Sequence, residues 1–254
     1  MKKDIHFISR FNTDNVGDRW SSPYHFFDFD GFNKKTIHWI NKKEYTSEDD
    51  HFATIIGGGL FGPGNIRPII ESQPNSKFIY WGGGWPRVVG YDTRYLNLQI
   101  RKFNLNFPFS QMPFGIRDYC EHLEFVPCAS CMLPQLDKKY SIKRDVGVYY
   151  HSGYTKRDWY NKDTDIKYLP HDKMHNHCDI NDAIKFIGES ETIITSSYHG
   201  AYWGLLLGKN VEIGDPLKNR PTPPKTDTLK LDITLEEARR LNTKFYDKVM
   251  NYLT

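Results

Sequence analysis

No stretch of the 254 residues approaches the roughly 18 consecutive apolar residues that a spanning helix requires, which excludes a membrane span. No apolar leader follows Met1-Lys2-Lys3-Asp4, and a cytoplasmic location is the expectation. Cysteine is scarce: Cys120, Cys128, Cys131 and Cys178 are the only four, and in that compartment they are expected as thiols rather than disulfides. Charge of one sign is also missing. With 34 basic and 31 acidic residues mixed along the chain, the net +3 lacks the basic footprint of a nucleic-acid binder, although it favours an anionic small ligand. No fixed-period repeat and no low-complexity segment interrupts the chain. Hydrophobic content of 39% against 26% charged residues indicates a globular protein, long enough for one large domain or two compact α/β domains.

Two motif classes are absent as well. The glycine triplets Gly57-Gly58-Gly59 and Gly82-Gly83-Gly84 are not followed by Gly-Lys-Ser/Thr, and neither is followed about 20 residues on by the acidic residue that the dinucleotide GxGxxG fingerprint requires. A phosphate-cradling P-loop and a dinucleotide fingerprint are therefore excluded. Cys128-x-x-Cys131 has the spacing of metal ligands, and His171, His175, His177 and Cys178 cluster downstream. One CxxC is a weak signal, and residues 125–130 read as a buried strand end. No metal is expected.

What is present centres on Ile193-Ile194-Thr195-Ser196-Ser197-Tyr198-His199-Gly200-Ala201. An apolar run at residues 192–194 reads as a buried strand. It breaks into hydroxyl residues, a histidine and a glycine, then continues as an apolar helix stopped by Gly208. Such a strand-turn-helix places Ser196, Ser197 and His199 at the carboxyl end of a parallel strand beside a helix N-terminus, where open α/β sheets bind ligands. Backbone amides and the helix dipole there suit an anion. A helix-capping or crevice-packing role for His199 fits the same pattern.

The rest of the chain supplies two series of strands. Residues 5–9, 36–40, 52–56, 78–81 and 113–118 read as strands of a first half, with a helix over residues 93–103 and residues 123–130 completing it. Asn12 to Asp18 form a polar turn in which Asn15 and Asp18 can cap a helix and Gly17 allows close backbone approach. The triplets ending two strands allow the same, for a ligand or for neighbouring turns. Gly115-Ile116-Arg117-Asp118 delivers a guanidinium suited to phosphate or carboxylate, or to an internal ion pair with Asp118. The charged segment at residues 138–144 marks the expected boundary, giving domains 1–140 and 141–254. The second half has strands at 145–151, 165–169, 192–194 and 210–215. It also has a helix over 181–189 capped near Asp179, and a proline-rich loop over 216–227. The closing helix spans 234–253, with Leu235, Ala238, Leu241, Phe245, Val249 and Tyr252 on one stripe.

In this order, Asn15-Val16-Gly17-Asp18, Gly57-Gly58-Gly59, Gly115-Ile116-Arg117-Asp118 and Ile194-Thr195-Ser196-Ser197-Tyr198-His199-Gly200 resemble the polysaccharide pyruvyltransferase family. The resemblance runs from about residue 12 to about residue 213. It implies two Rossmann-like domains facing a cleft, a glycosyltransferase-B-like fold. It also implies transfer of pyruvate from phosphoenolpyruvate onto two hydroxyls of one sugar in bacterial surface-polysaccharide biosynthesis. No cofactor is implied. The partner is a sugar or lipid-linked oligosaccharide acceptor, and peripheral membrane association is compatible with it. His199 is the implied general acid. Arg117, Ser196, Ser197, Tyr198, Gly200 and His171 are expected to bind the donor. Asn15, Gly17, Asp18, Gly57, Gly58, Gly59 and Asp118 are expected to line the acceptor side of the cleft.

One position departs from the family pattern. Many members carry arginine two residues before the histidine, where this chain has Ser197. Arg10, Arg19, Arg87, Arg157 or His171 would then have to replace that charge. Two other readings share the architecture: a nucleotide-sugar glycosyltransferase using Glu212 or Asp215 for the ribose, and a carbohydrate-binding relative without catalysis.

Overall fold

The computed structural model describes residues 2–39, 51–59, 63–84, 111–118, 123–151, 171–213, 229–230 and 232–254. The expected helix at 93–103, strand at 165–169 and loop at 216–227 lie outside them, as do Arg87, Cys120, Arg157 and Asp215. The chain divides into two compact units. The first holds residues 1–13, 18–130 and 236–254; the second holds 14–17 and 131–235.

The first unit is built on a parallel sheet of β1 (Lys3–Ser9), β2 (Phe32–His38), β3 (Ala53–Gly57), β4 (Lys77–Gly83), β5 (Phe114–Ile116) and β6 (Glu124–Phe125), in the order β2-β1-β3-β4-β5-β6. The residues of β3 are all buried, the mark of a parallel strand covered on both faces. Alternation divides the core in two. Ile8, Ile56, Tyr80 and Phe114 meet Ile66 and Ile69 of the helix Pro63–Ser72, which sequence periodicity did not indicate. On the other face Phe7, Phe29, Trp81 and Phe245 meet edge to face, with ring centroids 5.0 Å, 6.4 Å and 5.1 Å apart along that chain of contacts.

Phe245 belongs to the closing helix (Leu235–Leu253), and its place corrects the expected domain assignment. The helix belongs to the first unit, not to the carboxyl-terminal one, and the break falls at 130/131 rather than 140/141. The physical reason is polar as well as apolar. Asn242, fully buried, accepts a hydrogen bond from Trp81 Nε1 at 2.9 Å and donates to the Pro127 carbonyl at 3.1 Å. Lys77 Nζ donates to the Tyr252 carbonyl at 2.6 Å, satisfying one of the orphan acceptors of the helix end. The buried stripe is Ala238, Asn242, Phe245, Val249 and Leu253; Leu235, Leu241 and Tyr252 are only half-buried.

The second unit carries a parallel sheet of β7 (Arg144–Tyr150), β8 (Asp172–His175), β9 (Ser190–Thr195) and β10 (Asn210–Ile213), in the order β10-β9-β7-β8. Its helix Ile180–Gly188 is capped by Asp179, which accepts from the Asn181 amide at 2.7 Å as the sequence suggests. The expected Rossmann-like α/β class therefore holds for both sheets. Among the described residues, no helix is long and apolar enough to cross a membrane.

Replacing Asn242 by leucine would leave the Trp81 N–H and the Pro127 carbonyl buried without their partner. A loss of about 2–4 kcal/mol is expected, measured as a shift in urea unfolding midpoint at unchanged m-value.

Candidate functional site

Both sheets have a point where successive crossovers leave in opposite directions, and that is where an α/β crevice opens at the carboxyl edge. In the second unit β7 lies between β8 and β9, so the switch falls between the ends of β7 and β9. Tyr149 pairs with Thr195 in that register, which brings His151 level with the turn Ser196-Ser197. The His151 amide donates to Ser196 Oγ at 3.4 Å across the gap.

The helix Tyr198–Leu206 begins directly after that turn, three residues earlier than the apolar run implied. Ser197 is its N-cap, its hydroxyl accepting from the Gly200 amide at 3.5 Å, while its own amide donates to Thr195 Oγ1 at 3.0 Å. Ser197 is therefore a buried cap, 3% exposed. His199 is the second residue of the helix and 4% exposed. Its ring meets Tyr198 at right angles, 5.2 Å between centroids, and lies 5.3 Å from Trp203. Gly200 lets this first turn lie directly on the strand, since a Cβ there would come within 2.6 Å of the Tyr149 ring.

The second contribution comes from far away in sequence. Asn15 to Gly17 belong to this unit, not to the amino-terminal one as expected. The Val16 amide donates to the Asn176 carbonyl at 2.9 Å, and Asn176 in turn donates its amide to the Tyr150 carbonyl at 3.1 Å. That chain of bonds presses the Gly17 backbone against the His199 imidazole. A Cβ on residue 17 would lie 2.7 Å from His199 Cβ and overlap the ring itself. Gly17 is the space His199 occupies.

His171 does not join this group. It precedes β8, whose first residue pairs with Gly147, so it sits at the amino end of that strand. His175, at the other end of β8 and paired with Tyr150, takes the carboxyl-edge position, about 13 Å farther along at the rise of a parallel strand. The sequence reading missed β8 because Asp172-Lys173-Met174-His175 has neither β-branched residues nor alternation. Tyr149 and Asn176 were missed for a related reason: only the fold sets Tyr149 against Gly200 and bonds Asn176 to Val16. Burial pushes the Cys178 thiol up to about 11, a rise the neighbouring Tyr149 hydroxyl partly offsets.

In the first unit the switch lies between β1 and β3. The triplet Gly57-Gly58-Gly59 is there, but it admits the protein's own chain. Gly58 has φ +73°, and a Cβ would come within 2.7 Å of the Ser21 backbone. The Gly59 carbonyl accepts from the Gly84 amide at 2.8 Å, tying the two triplets together. Asp18 pairs with Arg10 at 3.3 Å, and its carbonyl accepts from Ser21 Oγ at 2.6 Å. Arg19 is committed to the Thr13 carbonyl through Nε and Nη2, at 2.9 and 2.6 Å. Arg117 and Asp118 follow β5 and are 3% and 6% exposed. Arg117 acts on Cys128, whose thiol burial pushes up and the guanidinium draws partly back.

Cys128 and Cys131 are buried, are not joined in a disulfide, and are assigned to different units. Among the described residues no three His, Cys, Asp or Glu side chains gather as a metal would require. No protein-family model matches the chain, and no curated protein matches it.

Two outcomes are expected. Gly17→Ala lowers stability by about 1–3 kcal/mol, and His199→Ala in the same chain, which removes the ring but keeps the Cβ 2.7 Å away, recovers part of that loss, a coupling read from a double-mutant unfolding cycle. Cys178, protonated at neutral pH, reacts slowly with iodoacetamide, and its site-resolved labelling rate still climbs between pH 9 and 10.5.

Proposed function

We propose that the chain is a ketal pyruvyltransferase that moves pyruvate from phosphoenolpyruvate onto two hydroxyls of a sugar. The reading includes a glycosyltransferase-B-like arrangement of the two units and a role in bacterial surface-polysaccharide synthesis in the cytoplasm. The observation that carries it is His199, held by Gly17 at the start of a helix and at the switch point of its sheet.

The chemistry asks for a proton and for anion recognition. One sugar hydroxyl adds to the carbon bearing the phosphate, while a proton reaches the neighbouring methylene carbon and makes it a methyl group. The second hydroxyl then displaces phosphate at the same carbon, closing the ketal. The proton released by the first hydroxyl balances the one delivered to the methylene, and that of the second leaves with phosphate or solvent. His199 is the general acid of the first step, and each turnover restores its proton. Amides of the helix start and the Ser196 and Ser197 hydroxyls are donors toward the donor's oxygens. Arg117 supplies a guanidinium for carboxylate or phosphate. Ser197 in place of arginine shifts more of that task to Arg117 and to the amides.

The test is phosphate release from phosphoenolpyruvate with lipid-linked and p-nitrophenyl sugars as acceptors. Release that requires an acceptor and falls by about 100-fold or more in His199→Ala is expected. Failure of phosphoenolpyruvate to bind at millimolar concentration, measured by calorimetry, overturns the reading. Tight binding of a uridine or guanosine nucleotide instead would point to sugar transfer.

A further inference from the structure

The first unit carries a feature that pyruvyl transfer does not explain by itself. Phe11, Trp20, Tyr24, His25 and Phe26 form one connected group of rings just beyond the carboxyl end of β1. Each is half-buried, whereas the neighbouring aromatics Phe7, Phe27 and Phe29 are buried in the core. Trp20 lies 4.8 Å from His25 and 6.4 Å from Phe26; Tyr24 lies 5.7 Å from Phe11 and 5.5 Å from His25. Aromatic surface left half-wet in a contiguous patch marks a binding surface more often than scattered exposure does.

Its surroundings decide what it binds. The patch adjoins the switch point between β1 and β3, where crevices of such sheets take ligands. At its edge the Arg10–Asp18 pair sets a planar donor beside a carboxylate at 3.3 Å, with the Arg10 side chain still 41% exposed. His38 Nδ1 accepts from the Asn12 amide at 2.9 Å, and burial, followed by the nearby Arg10 charge, lowers its proton affinity. Ser9, at the end of β1 and on the same face as Phe7, is fully buried, and among the described residues its Oγ has no hydrogen-bond partner. Apolar rings bordered by paired donors and acceptors match a pyranose, which offers a C–H face and vicinal hydroxyls. A nucleobase would want two parallel rings to slide between. The contacts within the group meet at interplanar angles of 40° to 81°. None forms such a slot.

We infer that the rings of this patch, with the Arg10–Asp18 pair, form a hexopyranoside-binding platform on the first unit. It rests on the proposed function in that the bound sugar is the acceptor, but the platform binds sugar without donor and without chemistry.

The experiment is saturation-transfer NMR and calorimetry on the full chain with methyl α- and β-hexopyranosides of the gluco, galacto, manno and N-acetylhexosamine series, in the absence of phosphoenolpyruvate. At least one glycoside is expected to bind with a millimolar or tighter Kd. Trp20→Ala is expected to weaken it by about tenfold or more, the loss of one aromatic contact. Trp20→Phe retains most of the affinity. Arg10→Met, which spares every ring, weakens binding and flattens the preference among the sugars. Circular dichroism and the unfolding midpoint of each variant exclude misfolding as the cause. No glycoside binding at 50 mM, or equal binding by wild type, Trp20→Ala and Arg10→Met, overturns the platform. Glycoside binding without phosphate release supports the platform and sinks pyruvyl transfer. Acceptor-dependent release whose acceptor KM ignores Trp20→Ala does the reverse.

Discussion

The contact on which the second unit's site depends is the one between a backbone and a ring. Gly17 has no side chain, and the His199 imidazole fills the space that a Cβ would take. A hydrogen-bonded relay holds the two together, from Val16 through Asn176 to the end of β7. Interiors packed to crystal density do not absorb an extra methyl group at such a place without moving the ring. The orientation of His199 is therefore set jointly by its own helix and by a segment some 180 residues earlier, and neither suffices alone.

Parallel sheets explain why chemistry gathers where it does. In both units strand order reverses direction of growth after the second strand, and the reversal opens the carboxyl edge beside the first. At one edge lie Ser196, Ser197 and His199; at the other lie Arg10, Asp18 and the glycine triplet. His171 falls outside because a residue just before a parallel strand is at the wrong edge by construction, whatever its chemistry.

Glycine reads ambiguously for the same kind of reason. A strand ending in three glycines announces a close approach but not what approaches. At Gly58 the visitor is the chain itself, at Ser21, and at Gly17 it is a catalytic candidate. Ser197 shows the converse. Its place at the strand end suggests a ligand contact, while the fold uses the serine as a helix cap.

Local pattern alone was enough for the two series of strands, the strand-turn-helix around His199 and the Asp179 cap, because apolar runs, breakers and capping residues act over a few residues. The sequence also carried the candidate site as a set of separate motifs. It could not assign the closing helix to the first unit, since that depends on Asn242 finding Trp81 and Pro127 more than a hundred residues away. Nor could it foresee β8, whose polar residues become a strand only by pairing with β7. Which motifs meet was decided by tertiary structure, because hydrogen bonds and ring contacts between distant segments leave no periodicity in the chain.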